Sequence, residues 1–130
     1  MKDLVAKAGR MNEFEIISRA TSREEAGNTP HRGTLAKCAA MNVPTPLHRS
    51  TQITVAEVKN ADLVCCMDES NRRAVLRIAG DENVPKVRLL LDFAPENHAR
   101  HEIADPYYTG DFDETYNDVL AGCQGLLKRF

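Results

Sequence analysis

A chain of 130 residues suits one domain, spanning 1–130, with a single modest core. Its composition, with 42% hydrophobic and 28% charged residues, is ordinary for a globular protein. A net charge of −2 argues against nucleic-acid and anionic-membrane partners, since either would require a basic face.

The first half of the chain is predicted to contain helices over 2–8, 34–43 and 54–60 and a strand over 14–18. Gly9 is placed to close the first helix. The segment 21–33 is polar and rich in Gly, Pro and Asn, which predicts a loop. Thr54 precedes the third helix with Glu57 three residues later, the spacing of a capping box.

The second half is predicted to contain strands over 61–67 and 86–93, helices over 69–80 and 112–130, and a long loop over 95–111. The strand at 61–67 is apolar without alternation, which indicates cover on both faces. Asp68 or Ser70 would cap the helix that follows. The final helix is amphipathic, and its predicted buried residues are Tyr116, Val119, Leu120, Cys123, Leu127 and Phe130.

Alternating helices and short apolar strands predict a parallel α/β sheet. Ligands of such sheets lie beyond the carboxyl ends of the strands, so the loops after residues 18, 66 and 93 are the candidate functional loops. No apolar run approaches the roughly 20 residues that span a bilayer. The first ten residues also lack the apolar stretch of a secretory signal. We therefore expect a cytoplasmic protein.

The four cysteines, Cys38, Cys65, Cys66 and Cys123, form no CxxC pair and accompany no His-x3-His, so we predict no zinc site. Reduced, partly buried thiols are the simplest interpretation.

Cys66 and Arg72 have the Cys-X5-Arg spacing with which cysteine-dependent phosphatases hold a phosphate over a thiolate. The intervening Asp68 and Glu69 would repel a phosphate and raise the pKa of the thiol. The stretch also lacks the glycine that lets backbone N–H groups converge on a phosphate. A second match, from Cys123 to Arg129, lies inside a predicted helix. We therefore predict that Cys66 is a core thiol.

Asp105 lies in the stretch DPYY, next to Tyr107 and Tyr108. An Asp beside aromatic rings could be a general acid, but Asp-Pro is also common turn chemistry, and local features favour the turn. His48 could be a base, a ligand or a support, although a half-buried His bonded to backbone is the simpler interpretation. His31, His98 and His101 are predicted to be solvated.

Several segments together resemble the low-molecular-weight protein tyrosine phosphatases, from about residue 3 to the C-terminus. They are FEIISRATS, HRSTQIT, DLVCCMDESNRR, KVRLLLDF, EIADPYYTGDFDETYNDV and GCQGLL. The resemblance implies a flavodoxin-like, three-layer fold, with four parallel strands and helices on both faces. It also implies hydrolysis of phosphotyrosine or small aryl phosphates through a cysteinyl-phosphate, without metal or other cofactor.

By the same resemblance, Asp105 matches the general acid and Tyr107 and Tyr108 match the wall of the substrate pocket. His48 matches a residue that supports the phosphate loop, and the loop from Thr21 to Gly33 matches the loop at the pocket rim. Arg19 departs from the pattern, because relatives usually carry a small residue there.

The family's first, central strand and its Cys-X5-Arg loop have no counterpart in these residues, and we expect residues 1–130 to be inactive for that reason. The flanking strands would then pair with each other, or two chains would associate through their edges; a start codon placed too late is the remaining explanation. The alternative functions are a non-catalytic protein that binds a phosphoprotein or another partner, and an arsenate-reductase-like protein.

Overall fold

The computed structural model describes residues 1–24 and 26–130. The described residues form an α/β fold in which helices flank a small parallel sheet, as predicted. Its elements are α1 (Lys2–Lys7), α2 (Arg32–Ala40), α3 (Val55–Asn60), β1 (Val64–Cys66), α4 (Glu69–Ala79), β2 (Val87–Leu89), α5 (Pro106–Thr109) and α6 (Phe112–Arg129). Short 3-10 helices cover Met11–Glu13, Asp81–Lys86 and Leu90–Phe93.

The two strands pair in parallel, with Val64 opposite Val87 and Cys66 opposite Leu89. Helix α4 connects them and packs against both. Parallel neighbours need such a crossover, because a tight turn reverses the chain direction.

The two faces of β1 are covered by different helices. Cys66 packs with Val58 of α3 and Val75 of α4. Its neighbour Cys65 belongs to a second cluster, which includes Cys123 of α6 and Leu4 of α1. Because successive strand residues point to opposite faces, this arrangement confirms that the apolar run around β1 is covered on both sides.

The local helix signals are also confirmed. Thr54 accepts a hydrogen bond from the Glu57 backbone, and the Glu57 carboxylate accepts one from the Thr54 backbone, which completes the capping box. Asp68, rather than Ser70, caps α4 by accepting from Asn71 N at 2.8 Å. Gly9 follows α1 with a φ of +69°.

Helix α6 lies close against the 3-10 segment Leu90–Phe93. A Cβ atom added at Gly125 would overlap the backbone carbonyl of Phe93. Glycine at this position therefore sets how near the helix can approach, and the predicted amphipathic helix is confirmed. Phe130 was predicted to be buried, which is wrong: its ring is exposed at the helix end.

The predicted strand over 14–18 is wrong. Strand structure requires a hydrogen-bonded neighbour, and within the described ranges the nearest pairing is an isolated bridge between Ala20 and Gln52. Ile17 is correspondingly exposed. Residues 14–18 do not pair with β1, whose described partner is β2. The sheet therefore has two described strands, where the resemblance implied four.

Other predicted boundaries also shift. The strand expected over 86–93 ends at Leu89, because the chain turns into the 3-10 helix Leu90–Phe93. The loop expected over 95–111 contains the four-residue helix α5. The described residues of the loop predicted over 21–33 form no helix or strand before α2 begins at Arg32. Glu25 lies outside the described residues. No helix in the described part of the chain is long and apolar enough to cross a membrane.

Candidate active site

A pocket of about 200 Å³ opens at the carboxyl end of β1, where ligands of parallel sheets bind. It lies between the start of α4 and the segment that leads into α5. Its lining residues are Met67, Asp68, Asn71, Ile103, Ala104, Asp105, Pro106 and Thr115.

Three hydrogen bonds hold the segment 102–105 at this pocket. Ile103 N donates to Met67 O at 2.9 Å. The Glu102 carboxylate accepts from Glu69 N at 2.7 Å. Thr115 Oγ1 donates to Ala104 O at 3.1 Å. The segment is therefore tied to β1, α4 and α6, immediately before Asp105.

Asp105 is the N-cap of α5, and its Oδ1 accepts from Tyr107 N at 2.9 Å. Pro106 occupies the first helical turn, where its missing N–H costs nothing. The structure therefore confirms that Asp105 and Pro106 form a turn. Asp105 also lines the pocket, so the residue that caps α5 lies at the pocket wall.

Tyr107 and Tyr108 are 68% and 84% exposed. Their rings meet edge to face, with centroids 5.3 Å apart and an interplanar angle of 84°. Two adjacent exposed rings follow the pocket carboxylate, so a flat aromatic group has apolar surface to contact near Asp105.

His48 is exposed, and its ring takes part in none of the hydrogen bonds or ion pairs between the described residues. The local expectation of a half-buried His bonded to backbone is therefore wrong. The segment around it lies beside Gly27: Gly27 N donates to Ser50 O, and Arg49 Nη1 donates to Gly27 O.

Arg19, which departs from the family pattern, pairs with Glu57 of α3, Nε to Oε2 at 2.8 Å.

Cys66 is a core thiol, as predicted. The residue is 5% exposed and belongs to the cluster between the sheet and α4. Burial raises the pKa of its thiol to about 11, although Arg72 opposes the shift. Arg72 Nε donates to Val87 O at 2.9 Å, and the Asp68 carboxylate caps α4. No phosphate cradle forms between Cys66 and Arg72.

The remaining cysteines also lie in packed elements. Burial raises the pKa of Cys65 to about 12. Cys123 is buried inside α6, as predicted, and Cys38 lies within α2. In the described ranges no three His, Cys, Asp or Glu side chains lie close enough together to hold a metal ion.

A buried charged cluster on α6 was not predicted from the sequence. Asp118 is 1% exposed, and its carboxylate accepts from Arg100 Nε at 2.9 Å and lies 2.8 Å from His98 Nε2. Burial alone would raise the pKa of Asp118, but the bonds from Arg100 and His98 outweigh it and lower the pKa. The prediction that His98 is solvated is wrong. The sequence did offer one signal for this burial: Asp118 directly precedes Val119, which was predicted to be buried.

Comparisons with known proteins agree on one family. A family model described as low molecular weight phosphotyrosine protein phosphatase matches residues 1–130. The low molecular weight protein-tyrosine-phosphatase YfkJ of Bacillus subtilis is 28% identical over 126 residues, covering 97% of this chain and 80% of the relative. The low molecular weight phosphotyrosine protein phosphatase of Gallus gallus is 32% identical over 121 residues, covering 91% and 75%.

Solved structures agree. The crystal structure of YfkJ superposes with a TM-score of 0.93, covering 98% of this chain and 80% of that chain. The crystal structure of SP-PTP, a low molecular weight protein tyrosine phosphatase from Streptococcus pyogenes, is 31% identical with a TM-score of 0.81. The match covers 98% of this chain and 81% of the Streptococcus pyogenes chain.

Proposed function

The chain belongs to the low molecular weight phosphotyrosine protein phosphatase family, and on that premise we propose that the pocket at the end of β1 belongs to a site for phosphotyrosine or small aryl phosphates. Asp105 is its general acid, and Tyr107 and Tyr108 contact the aryl ring. The observation that carries the proposal is the position of Asp105 in the lining of the pocket, one proline before two exposed aromatic rings.

In the reaction that the family implies, a cysteine thiolate attacks phosphorus. The S–P bond forms as the bond from phosphorus to the aryl oxygen breaks, and the Asp105 carboxyl gives its proton to the leaving phenolate. Water then attacks phosphorus, and the Asp105 carboxylate takes a proton from that water. The S–P bond breaks, which releases inorganic phosphate and restores the thiolate and the protonated carboxyl.

We infer that a polypeptide of residues 1–130 does not turn over aryl phosphates, because none of its four cysteines suits this attack. A thiol with a pKa of about 11, as at Cys66, is thiolate in only roughly one molecule in 10⁴ at pH 7. Cys65 is less acidic still. Cys123 is buried within a helix, and Cys38 has Pro44 rather than Arg six residues on.

His48 enters the proposal as a support for a phosphate-binding loop. Its exposed imidazole, free of bonds to the described residues, is available for such a contact.

The exposed tyrosine pair also favours a second candidate function, recognition of a phosphotyrosine protein without hydrolysis. Aromatic rings that are 68% and 84% exposed offer contact area to a partner's aryl group. We rank this function below the first, because the family whose model matches residues 1–130 is a phosphatase family.

Two measurements on the purified chain test these proposals. With p-nitrophenyl phosphate we expect no release of nitrophenolate above the buffer rate. Turnover that Cys66→Ser abolishes would contradict both the inactivity and the core role of Cys66. With a phosphotyrosine peptide we expect weak NMR shift changes at Tyr107 and Tyr108, lost in Tyr107→Ala.

Phe130→Ala is the matched control for the peptide titration, because it removes an exposed ring at the far end of α6. Its tyrosine shifts should match those of the unmodified chain. Peptide-induced shifts that bypass Tyr107 and Tyr108 would contradict the aryl site.

The proposal also includes a cytoplasmic location and self-association. All four cysteines are free thiols, as expected in a reducing compartment.

Self-association would use the edge of the sheet. Strand β1 pairs on one side with β2, and within the described ranges its other edge has no strand partner. Unpaired edges favour association between chains. Sedimentation velocity across a concentration series tests it, and a constant monomer mass would contradict it.

A further inference from the structure

The start of α2 is held against the start of α6 by an aromatic stack. The rings of His31 and Phe112 lie with centroids 5.4 Å apart and an interplanar angle of 23°. Gly33 lies under the same ring, where a Cβ atom would overlap three carbons of Phe112. Only a residue without a side chain allows the helix to lie this close to the ring.

One turn further along α2, a charged contact joins the same two helices. Lys37 Nζ lies 2.7 Å from an oxygen of Asp113 and 5.4 Å from the ring centroid of Tyr116. Lys37 therefore makes both an ion pair and a cation–π contact with α6. Together these contacts fix the rotation of α2 as well as its distance from α6. The rim loop that ends in α2 is thus anchored to α6.

The orientation of the His31 ring is set by the backbone of α2. His31 is the N-cap of this helix, and its Nδ1 accepts from Gly33 N at 2.9 Å. An accepting Nδ1 carries no hydrogen, so the remaining ring proton lies on Nε2. The ring, placed by this cap and by Phe112, also contacts a side chain from another element.

That side chain is Tyr107, whose ring meets His31 edge to face at 5.9 Å and 86°. Tyr107 in turn contacts Tyr108. A tyrosine that is 68% exposed has room for several rotamers. His31 comes from another element and restricts that freedom.

We propose that His31 is a positioning residue for the aryl-binding wall. Its ring transmits the position of α2 to Tyr107, and so sets the orientation in which the Tyr107 ring is presented to an aryl group. The inference rests on the proposed function for the role of Tyr107. The contact itself stands on the ring geometry of the structure.

The test follows the ring resonances of Tyr107 by NMR in the ligand-free chain. His31→Asn keeps an oxygen that can cap α2 but removes the ring, while His31→Phe keeps a ring but removes the cap. We expect His31→Asn to lose the cross-peaks between residue 31 and Tyr107 and to move the Tyr107 ring signals toward those of a free tyrosine. We expect His31→Phe to retain most of the native shift.

Arg32→Ala, an exposed neighbour in the same turn, is the matched control and should leave Tyr107 unchanged. Native Tyr107 signals in His31→Asn would overturn the proposal whatever His31→Phe shows, because the ring at residue 31 would then be unnecessary. Tyr107 signals altered as strongly in His31→Phe as in His31→Asn would overturn it too, because ring contact would then not account for the position of Tyr107. Melting temperatures of all three variants separate a local change from unfolding.

This experiment uses no ligand, so a negative result leaves the role of Asp105 untouched. Failure of the aryl site would appear instead in the phosphotyrosine peptide titration. The two proposals can therefore fail separately.

Discussion

His98 Nε2 lies 2.8 Å from Asp118 Oδ1, and this contact joins the loop after the 3-10 helix Leu90–Phe93 to the buried face of α6. Arg100 adds two bonds to the same carboxylate, at 2.9 and 3.2 Å, and also pairs with Glu114. The loop continues directly into the segment that presents Asp105. Asp118 therefore anchors the chain on the path to the pocket.

Asp118→Asn should lower the free energy of unfolding by about 1–3 kcal/mol, since it weakens charge-assisted bonds to a carboxylate that is 1% exposed. Urea unfolding followed by circular dichroism measures the change. Asp62→Asn replaces an exposed acid and should stay within about 0.5 kcal/mol of the unmodified chain. Equal effects in the two variants would show that the cluster adds no stability.

The contribution of Asp118 should depend on pH with a definite sign. The pKa of Asp118 is lowered in the folded chain, because the bonds from Arg100 and His98 outweigh the opposing effect of burial. Its stabilisation is therefore complete above the unfolded pKa, about 3.9, and is lost as the pH falls through the folded value. The stability gap between the unmodified chain and Asp118→Asn should shrink below about pH 4. A stability difference that grows as the pH falls would show that the pKa of Asp118 is not lowered in the folded chain.

The elements that could be predicted from sequence are those specified by residues close together in the chain. Thr54 and Glu57 fix the start of α3, and Asp68 fixes that of α4, because each cap involves residues three positions apart. Asp105 was likewise identifiable as a turn residue next to its proline. Its place in the pocket depends on bonds to β1, α4 and α6.

The features that could not be predicted require a distant partner. The segment 14–18 has strand-like residues but no strand beside it among the described residues, so composition alone gave a wrong assignment. Asp118 is buried against His98 and Arg100, which lie 20 and 18 positions away in the chain. The contact between His31 and Tyr107 joins residues 76 positions apart, a separation that no local pattern encodes.

Gly125→Ala should destabilise the chain although alanine favours helices. Alanine would contribute about 1 kcal/mol through helix propensity, but its Cβ would overlap the carbonyl of Phe93, and a backbone atom cannot move aside as a side chain can. We expect a net loss of about 1–3 kcal/mol, the usual cost of overpacking. Gln124→Ala, exposed on the same helix, is the control for propensity. A higher melting temperature for Gly125→Ala would refute the close approach of α6.

The thiol of Cys66 should react slowly with iodoacetamide in the folded chain. Its pKa of about 11 lies above the usual value of about 8.5, so at pH 8 the thiolate is roughly 200-fold rarer than for a free cysteine. Burial between the sheet and α4 adds a steric barrier. Mass spectrometry of native and urea-unfolded samples should show Cys66 alkylated quickly only after unfolding, with the half-buried Cys38 as the native-state comparison. If Cys66 is instead the fastest of the four in the native chain, it is an activated thiolate, and the core assignment fails.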